Sequence, residues 1–187
     1  MSQAKIVFCS RCRRRALLGG MVGLLPLALM RGRFAFADPV ADQFDYLSTH
    51  GNSSCSIDFM KSIATMPPTA RLQGSCCGPM DRARYESQIK GLARFSAIPE
   101  IPADPYDIPA GLAQMFLKYY EIDLTKKEQP AYDEAMANSD EKGPCCCRCW
   151  RWNVLGGLAK YLIREHSFSG SQVTEVWNLT NGCGGPA

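Results

Sequence analysis

Pro144-Cys145-Cys146-Cys147-Arg148-Cys149-Trp150-Arg151-Trp152 constrains this chain more than any other stretch. Four cysteines lie within five positions, and tryptophans follow at once. An apolar core has no use for that arrangement. The stretch is either a ligand cluster or a dense disulfide knot, and the fold must supply the groups that complete it.

Candidate partners are few. Past residue 37 the chain has eight cysteines: Cys55, Cys76, Cys77, Cys145, Cys146, Cys147, Cys149 and Cys183. An even number suits four disulfides in an exported protein, and equally a metal site with one or two disulfides. Neighbouring cysteines rarely bond to each other, because a vicinal bridge strains the peptide between them. In a disulfide knot, Cys55, Cys76, Cys77 and Cys183 are therefore the distant partners. Four bridges converging on five residues satisfy bond geometry poorly.

As metal ligands, Cys145, Cys147 and Cys149 make two close thiolate pairs, and Cys146-x-x-Cys149 has knuckle spacing. Soft thiolates select Cu(I), Zn or Fe–S. A zinc ribbon needs a second knuckle, which Cys76-Cys77 does not form. The metal reading therefore favours copper, held by Cys145, Cys146, Cys147 and Cys149 with Cys76 and Cys77. Met60, Met66, Met80 and His50 are further soft or borderline donors, although methionine mostly fills cores. A thiol–disulfide oxidoreductase is a third reading, with Cys146 and Cys149 as the pair, but the strand-to-helix context of a thioredoxin-like motif is missing. His50 and His166 stand beside no nucleophile motif. An enzyme is the less favoured outcome.

Residues 1–37 read as an export signal. The basic run Ser10-Arg11-Cys12-Arg13-Arg14-Arg15 precedes an apolar stretch from Ala16 to Met30, and Ala35-Phe36-Ala37 suits a signal peptidase. Cleavage after Ala37 leaves Asp38 as the N-terminus. Arg13-Arg14-Arg15 ahead of a glycine-containing core resembles a twin-arginine signal, with Cys12 and Arg14 departing from its usual surroundings; Sec export is the alternative. The twin-arginine resemblance implies folding, and loading of any metal, before export. The apolar stretch is short for a spanning helix. Periplasmic or extracellular location is expected, without stable membrane insertion after cleavage. Residues 38–187 carry 14 basic and 18 acidic side chains, net −4. No long basic run survives, which disfavours nucleic-acid partners.

This remaining chain is one domain of ordinary size. Its patterning is helical throughout: short segments around Phe44 and after Cys55, then Arg82–Phe95, Asp107–Tyr120, a stretch through Tyr132, Trp150–His166, and Ser169 to Asn181. Asp81 caps the helix it precedes, and Thr125/Glu128 and Ser169/Gln172 match capping boxes. Gly156-Gly157 within a helix signals close packing. Asn181-Gly182 is expected to end the last helix in the left-handed conformation. No strand stands out. The expected fold is all-α, a single compact helical domain with long loops, cross-linked by disulfides, a metal or both.

Pro144, Cys145, Cys147 and Cys149, with the preceding Pro130–Ala135 segment, resemble a group of exported bacterial proteins carrying Pro-Cys-Tyr-Cys-Gly-Cys. Cys146 replaces the tyrosine and Arg148 the glycine. The resemblance covers about 25 residues. It implies export with metal or redox chemistry.

Overall fold

Helical periodicity becomes seven α-helices within residues 38–185, the part of the chain that this computed structural model describes. They are α1 (Pro39–His50), α2 (Ile57–Ile63), α3 (Arg82–Leu92), α4 (Ala110–Tyr120), α5 (Gln129–Asn138), α6 (Trp150–His166) and α7 (Gly170–Thr180). The expected export signal lies outside the described residues. None of the described helices is long and apolar enough to cross a membrane.

Local chemistry explains most boundaries. Asp38 accepts from the Val40 amide and Pro39 supplies the first-turn φ, so α1 runs 12 residues where only a short helix is expected. Asp81 accepts from Arg84 N at 2.8 Å. Both bonds of the Ser169/Gln172 capping box form. The Thr125/Glu128 pair also closes reciprocally, but in the turn before α5, which begins at Gln129.

Three expectations need correction. A two-stranded antiparallel ladder joins β1 (Arg71–Gln73) to β2 (Asp107–Pro109), with Leu72 opposite Ile108. Three residues are too few to show a period-two pattern, so the sequence hides it. Asp107 therefore belongs to β2, and α4 begins at Ala110. Asn181 does not cap α7 in the left-handed region: its φ is −63° and ψ 107°. The left-handed residues come later, at Gly184 and Gly185.

The main core lies where α4, α5, α6 and α7 meet. Phe116, Val154, Leu155, Leu158, Leu162, Val173, Val176 and Trp177 are all buried. Trp177 donates its indole N–H to the Leu155 carbonyl at 2.9 Å, so its one polar atom is satisfied inside. The glycine pair has the packing role its position suggests. A Cβ on Gly157 would collide with the Phe116 carbonyl, and one on Gly156 would meet the Tyr120 ring. The backbones of α4 and α6 therefore approach closely. A smaller cluster, Leu47, Tyr85 and Tyr106, joins α1 to α3.

Candidate metal centre

Four separate stretches of chain deliver eight cysteines to one place. Cys55 precedes α2. Cys76 and Cys77 follow β1. Cys145, Cys146, Cys147 and Cys149 lead into α6, with Cys149 as its N-cap, and Cys183 follows α7.

Backbone bonds assemble these stretches. The amides of Asn52 and Ser53 both donate to the Gln73 carbonyl at 3.0 Å. The Asn52 side chain completes the clamp, donating to Arg71 O and accepting from Gln73 N. Gly74 then turns the chain at φ 75°, with its Cα against Gly51, where any side chain would clash. These contacts carry Cys55 toward Cys76 and Cys77. At the other end of that loop, Gly78 N donates to Cys183 O at 3.1 Å and Gly185 N to Pro79 O at 2.8 Å, which docks the tail.

The sulfurs form a continuous patch. Cys55 Sγ lies 3.0 Å from Cys77 and 3.4 Å from Cys147. Cys77 Sγ lies 3.5 Å from Cys147, 3.6 Å from Cys76 and 3.9 Å from Cys146. Cys145 and Cys183 are 2.6 Å apart. Four triads each hold three sulfurs within 4.8 Å of one another: Cys55/Cys77/Cys147, Cys55/Cys76/Cys149, Cys76/Cys77/Cys183 and Cys145/Cys146/Cys147. All eight cysteines belong to at least one triad, so every cysteine named from the sequence reaches the site. The eight are free thiols here, and no pair lies at the roughly 2.05 Å of a disulfide.

The patch has two sides. Cys145, Cys149 and Cys183 are buried, whereas Cys77 and Cys146 are exposed. On the buried side, hydrogen bonds from Cys145 and Cys149, with help from the Arg151 charge, hold Cys76 down at about 6. Cys145 and then Cys76 hold Cys183 down at about 5. Cys145 itself is pushed up by its bonds to Cys149 and Cys183. Burial among the other sulfurs pushes Cys55 up.

Arg151 is the functional residue that motif reading undervalues. It is fully buried, yet among the described residues no carboxylate pairs with it. Its guanidinium donates to Pro105 O at 2.6 Å and Gly74 O at 2.9 Å. It lies 4.6 Å from the Trp150 ring centroid and 5.8 Å from that of Tyr106. Gly182 packs directly on it, since a Cβ there would strike the guanidinium. One side chain thus joins the segment before Cys76, the residue before Cys183 and the helix that Cys149 opens. Its sequence signal is an arginine set between tryptophans just after a cysteine, where an exposed cation would be out of place. Arg148 does the opposite: it is exposed and lies 5.1 Å from the Trp152 ring centroid.

Trp150 is buried and Trp152 half-buried. Trp150 Nε1 and Arg151 Nε are buried donors with no hydrogen-bond partner, both on residues directly after Cys149. Arg151's charge acts on both Cys76 and the Asp104 carboxylate, and a cation beside thiols suits a negatively charged sulfur assembly. The donor set therefore fits a soft metal ion bound by thiolates. The other suggested donors are occupied elsewhere. His50 stacks on Tyr46 and bonds within α1. Met60 and Met66 pack on the core and Met80 on the smaller cluster. Cys146 is exposed and Cys149 buried.

In comparisons with known proteins, no family model, no curated protein and no solved structure matches this chain.

Proposed function

We propose that this chain is an exported protein that binds Cu(I) through cysteine thiolates and handles or transfers the metal outside the cytoplasm. The observation that carries the reading is the convergence of eight cysteines from four distant stretches on one sulfur patch. Folding brings together sulfurs up to 128 positions apart in the chain, Cys55 and Cys183 among them. A purely structural core gains little from that concentration of reactive groups.

Several points favour copper. All eight donors are soft thiolates, with no carboxylate or histidine among the triads. Cu(I) accepts two or three sulfurs, and the patch is organised in threes. Exposed Cys77 and Cys146 give a partner's thiol access to a bound ion, as metal transfer by ligand exchange requires. The basic run at Arg13-Arg14-Arg15 and the Ala35-Phe36-Ala37 site support export, and a twin-arginine route would let the folded site load beforehand.

The test is metal content and thiol count on one anaerobic preparation of the chain from its native compartment. Near-stoichiometric copper with free thiols after stripping is expected. Less than about a tenth of an equivalent of any metal would sink the metal reading. Stoichiometric zinc or iron with sulfide would keep the site and replace copper.

A second reading has its own support. Cys145 with Cys183, and Cys55 with Cys77, are the closest sulfur pairs. In a disulfide-stapled interaction domain these pairs would close. That reading expects no metal, and loss of at least four thiols from the count.

A further inference from the structure

We infer that the sulfur patch is a polynuclear site, built to hold three Cu(I) ions in a ring in which Cys55, Cys76 and Cys77 bridge neighbouring ions. The inference rests on the metal reading above and specifies its architecture.

The triads overlap in pairs. Cys55/Cys77/Cys147 and Cys55/Cys76/Cys149 share Cys55. Cys55/Cys77/Cys147 and Cys76/Cys77/Cys183 share Cys77, and Cys76 closes the circuit between the other two. An ion in each triad would therefore touch two shared sulfurs and one of its own. The unshared ligands would be Cys147, Cys149 and Cys183. The pattern is an alternating ring of metal and bridging sulfur with one outer thiolate per metal. A thiolate has lone pairs enough for two soft ions, so bridging needs no further donor.

The same count separates copper from zinc. Zinc in thiolate sites is four-coordinate. Three such ions sharing three bridges need nine thiolates, and the described residues hold eight. Three-coordinate Cu(I) needs six. The remaining pair, Cys145 and Cys146, belongs to the fourth triad with Cys147 and could add an ion at the edge of the ring.

Charge and protons also balance. Each ion enters and stays as Cu(I), and nothing is oxidised or reduced. The six ring cysteines bind as thiolates, and those still protonated beforehand lose their protons to solvent. Three monovalent cations then face six thiolates, leaving the assembly with a net charge of about −3. Buried Arg151 makes no salt bridge among the described residues and, shared with the Asp104 carboxylate it acts on, brings positive charge to such an assembly. The bridging cysteines sit on two loops that are tied together: Cys76 and Cys77 follow Gly74, the carbonyl that Arg151 holds, and Cys55 follows the Asn52 clamp.

The experiment is an anaerobic titration of the full, reduced, metal-free chain with Cu(I), read with a coloured Cu(I) chelator and by X-ray absorption. Three or four tightly held equivalents, with a metal–metal vector, are expected. Saturation at one or two equivalents, or no metal–metal vector, overturns the ring but leaves a metal site standing. No uptake overturns the metal reading itself. Cys77→Ser removes an exposed bridging sulfur and should lower capacity by more than one equivalent. Cys146→Ser removes an exposed sulfur outside the ring and should lower it by one at most. Equal losses from the two variants would overturn the bridging assignment. Because both residues are at the surface, circular dichroism showing wild-type helicity is expected for each; Cys55→Ser provides a second bridging variant.

Discussion

The α4–α6 seam and the sulfur patch are held together by different physics. At the seam, two regular helices bury Phe116, Leu155 and Leu158, and Gly157 lets their backbones touch. Each side chain there contributes apolar area, and the contacts need no specific partner chemistry. At the patch, four irregular segments meet, and Cys145, Cys149 and Cys183 are buried in the same core. Backbone bonds from Gly78, Gly185 and Asn52, one buried arginine and the sulfurs themselves hold it. The difference teaches where each kind of stabilisation resides. The seam rests chiefly on apolar area, with Lys160 donating to the Tyr120 carbonyl across it, whereas the patch is built from sulfur groups that interact with one another.

Four predictions test that separation. The largest effect is expected from Phe116→Ala, which empties the seam. It should lower stability by about 3–5 kcal/mol, measured by denaturant unfolding. Copper capacity under native conditions should be unchanged. A fall in capacity with the helices intact would show that the two regions are one cooperative unit.

Arg151→Met keeps the bulk and removes the charge and both carbonyl bonds. Gly74 O and Pro105 O lose a charged donor, at a cost of about 2–3 kcal/mol. If the arginine serves an anionic metal assembly, the loss should be larger in the copper-loaded protein than in the metal-free one. Equal losses in the two forms would reduce Arg151 to a structural strut.

Stripping the metal should act locally. Amides of Gly74, Gly78, Cys183 and Gly185 should exchange at least about tenfold faster, equivalent to about 1.4 kcal/mol of local stability. Amides within α4 and α6 should keep their protection. Uniform loss of protection would contradict the separation.

The smallest effect belongs to a surface pair far from the sulfurs. The Arg164 guanidinium, with the Thr125 amide, holds Glu128 at about 2, well below an ordinary carboxylate. A depressed folded value stabilises the ionised form. The contribution is fully present above the ordinary carboxylate range and fades as pH falls toward about 2. Wild type should therefore melt slightly above Glu128→Gln at pH 6, with the gap closing on acidification. Metal-free protein should be used, because acid also releases thiolate-bound metal. A gap that widens in acid would show that the pair does not act through ionisation.

Sequence alone determined the α6 side of the seam, and the structure supplied α4 as its partner. Val154, Leu155, Leu158 and Leu162 recur at helical spacing, and Gly156-Gly157 marks a close contact, because helix period and residue size are local properties. Asp81 and Ser169 mark helix starts for the same reason. Chemistry at Pro144–Trp152 was equally legible, since four cysteines in five positions announce themselves. Only the tertiary structure decided how those cysteines associate. Cys55, Cys76, Cys77 and Cys183 join the cluster through the Asn52 clamp, the Gly74 turn and the docked tail, which are contacts between residues far apart in sequence. The three-residue ladder and the extended backbone at Asn181 escape notice because nothing in their composition distinguishes them from loop. The burial of Arg151 is the clearest case. Gly182, Tyr106 and Gly74, arriving from three other parts of the chain, close around it.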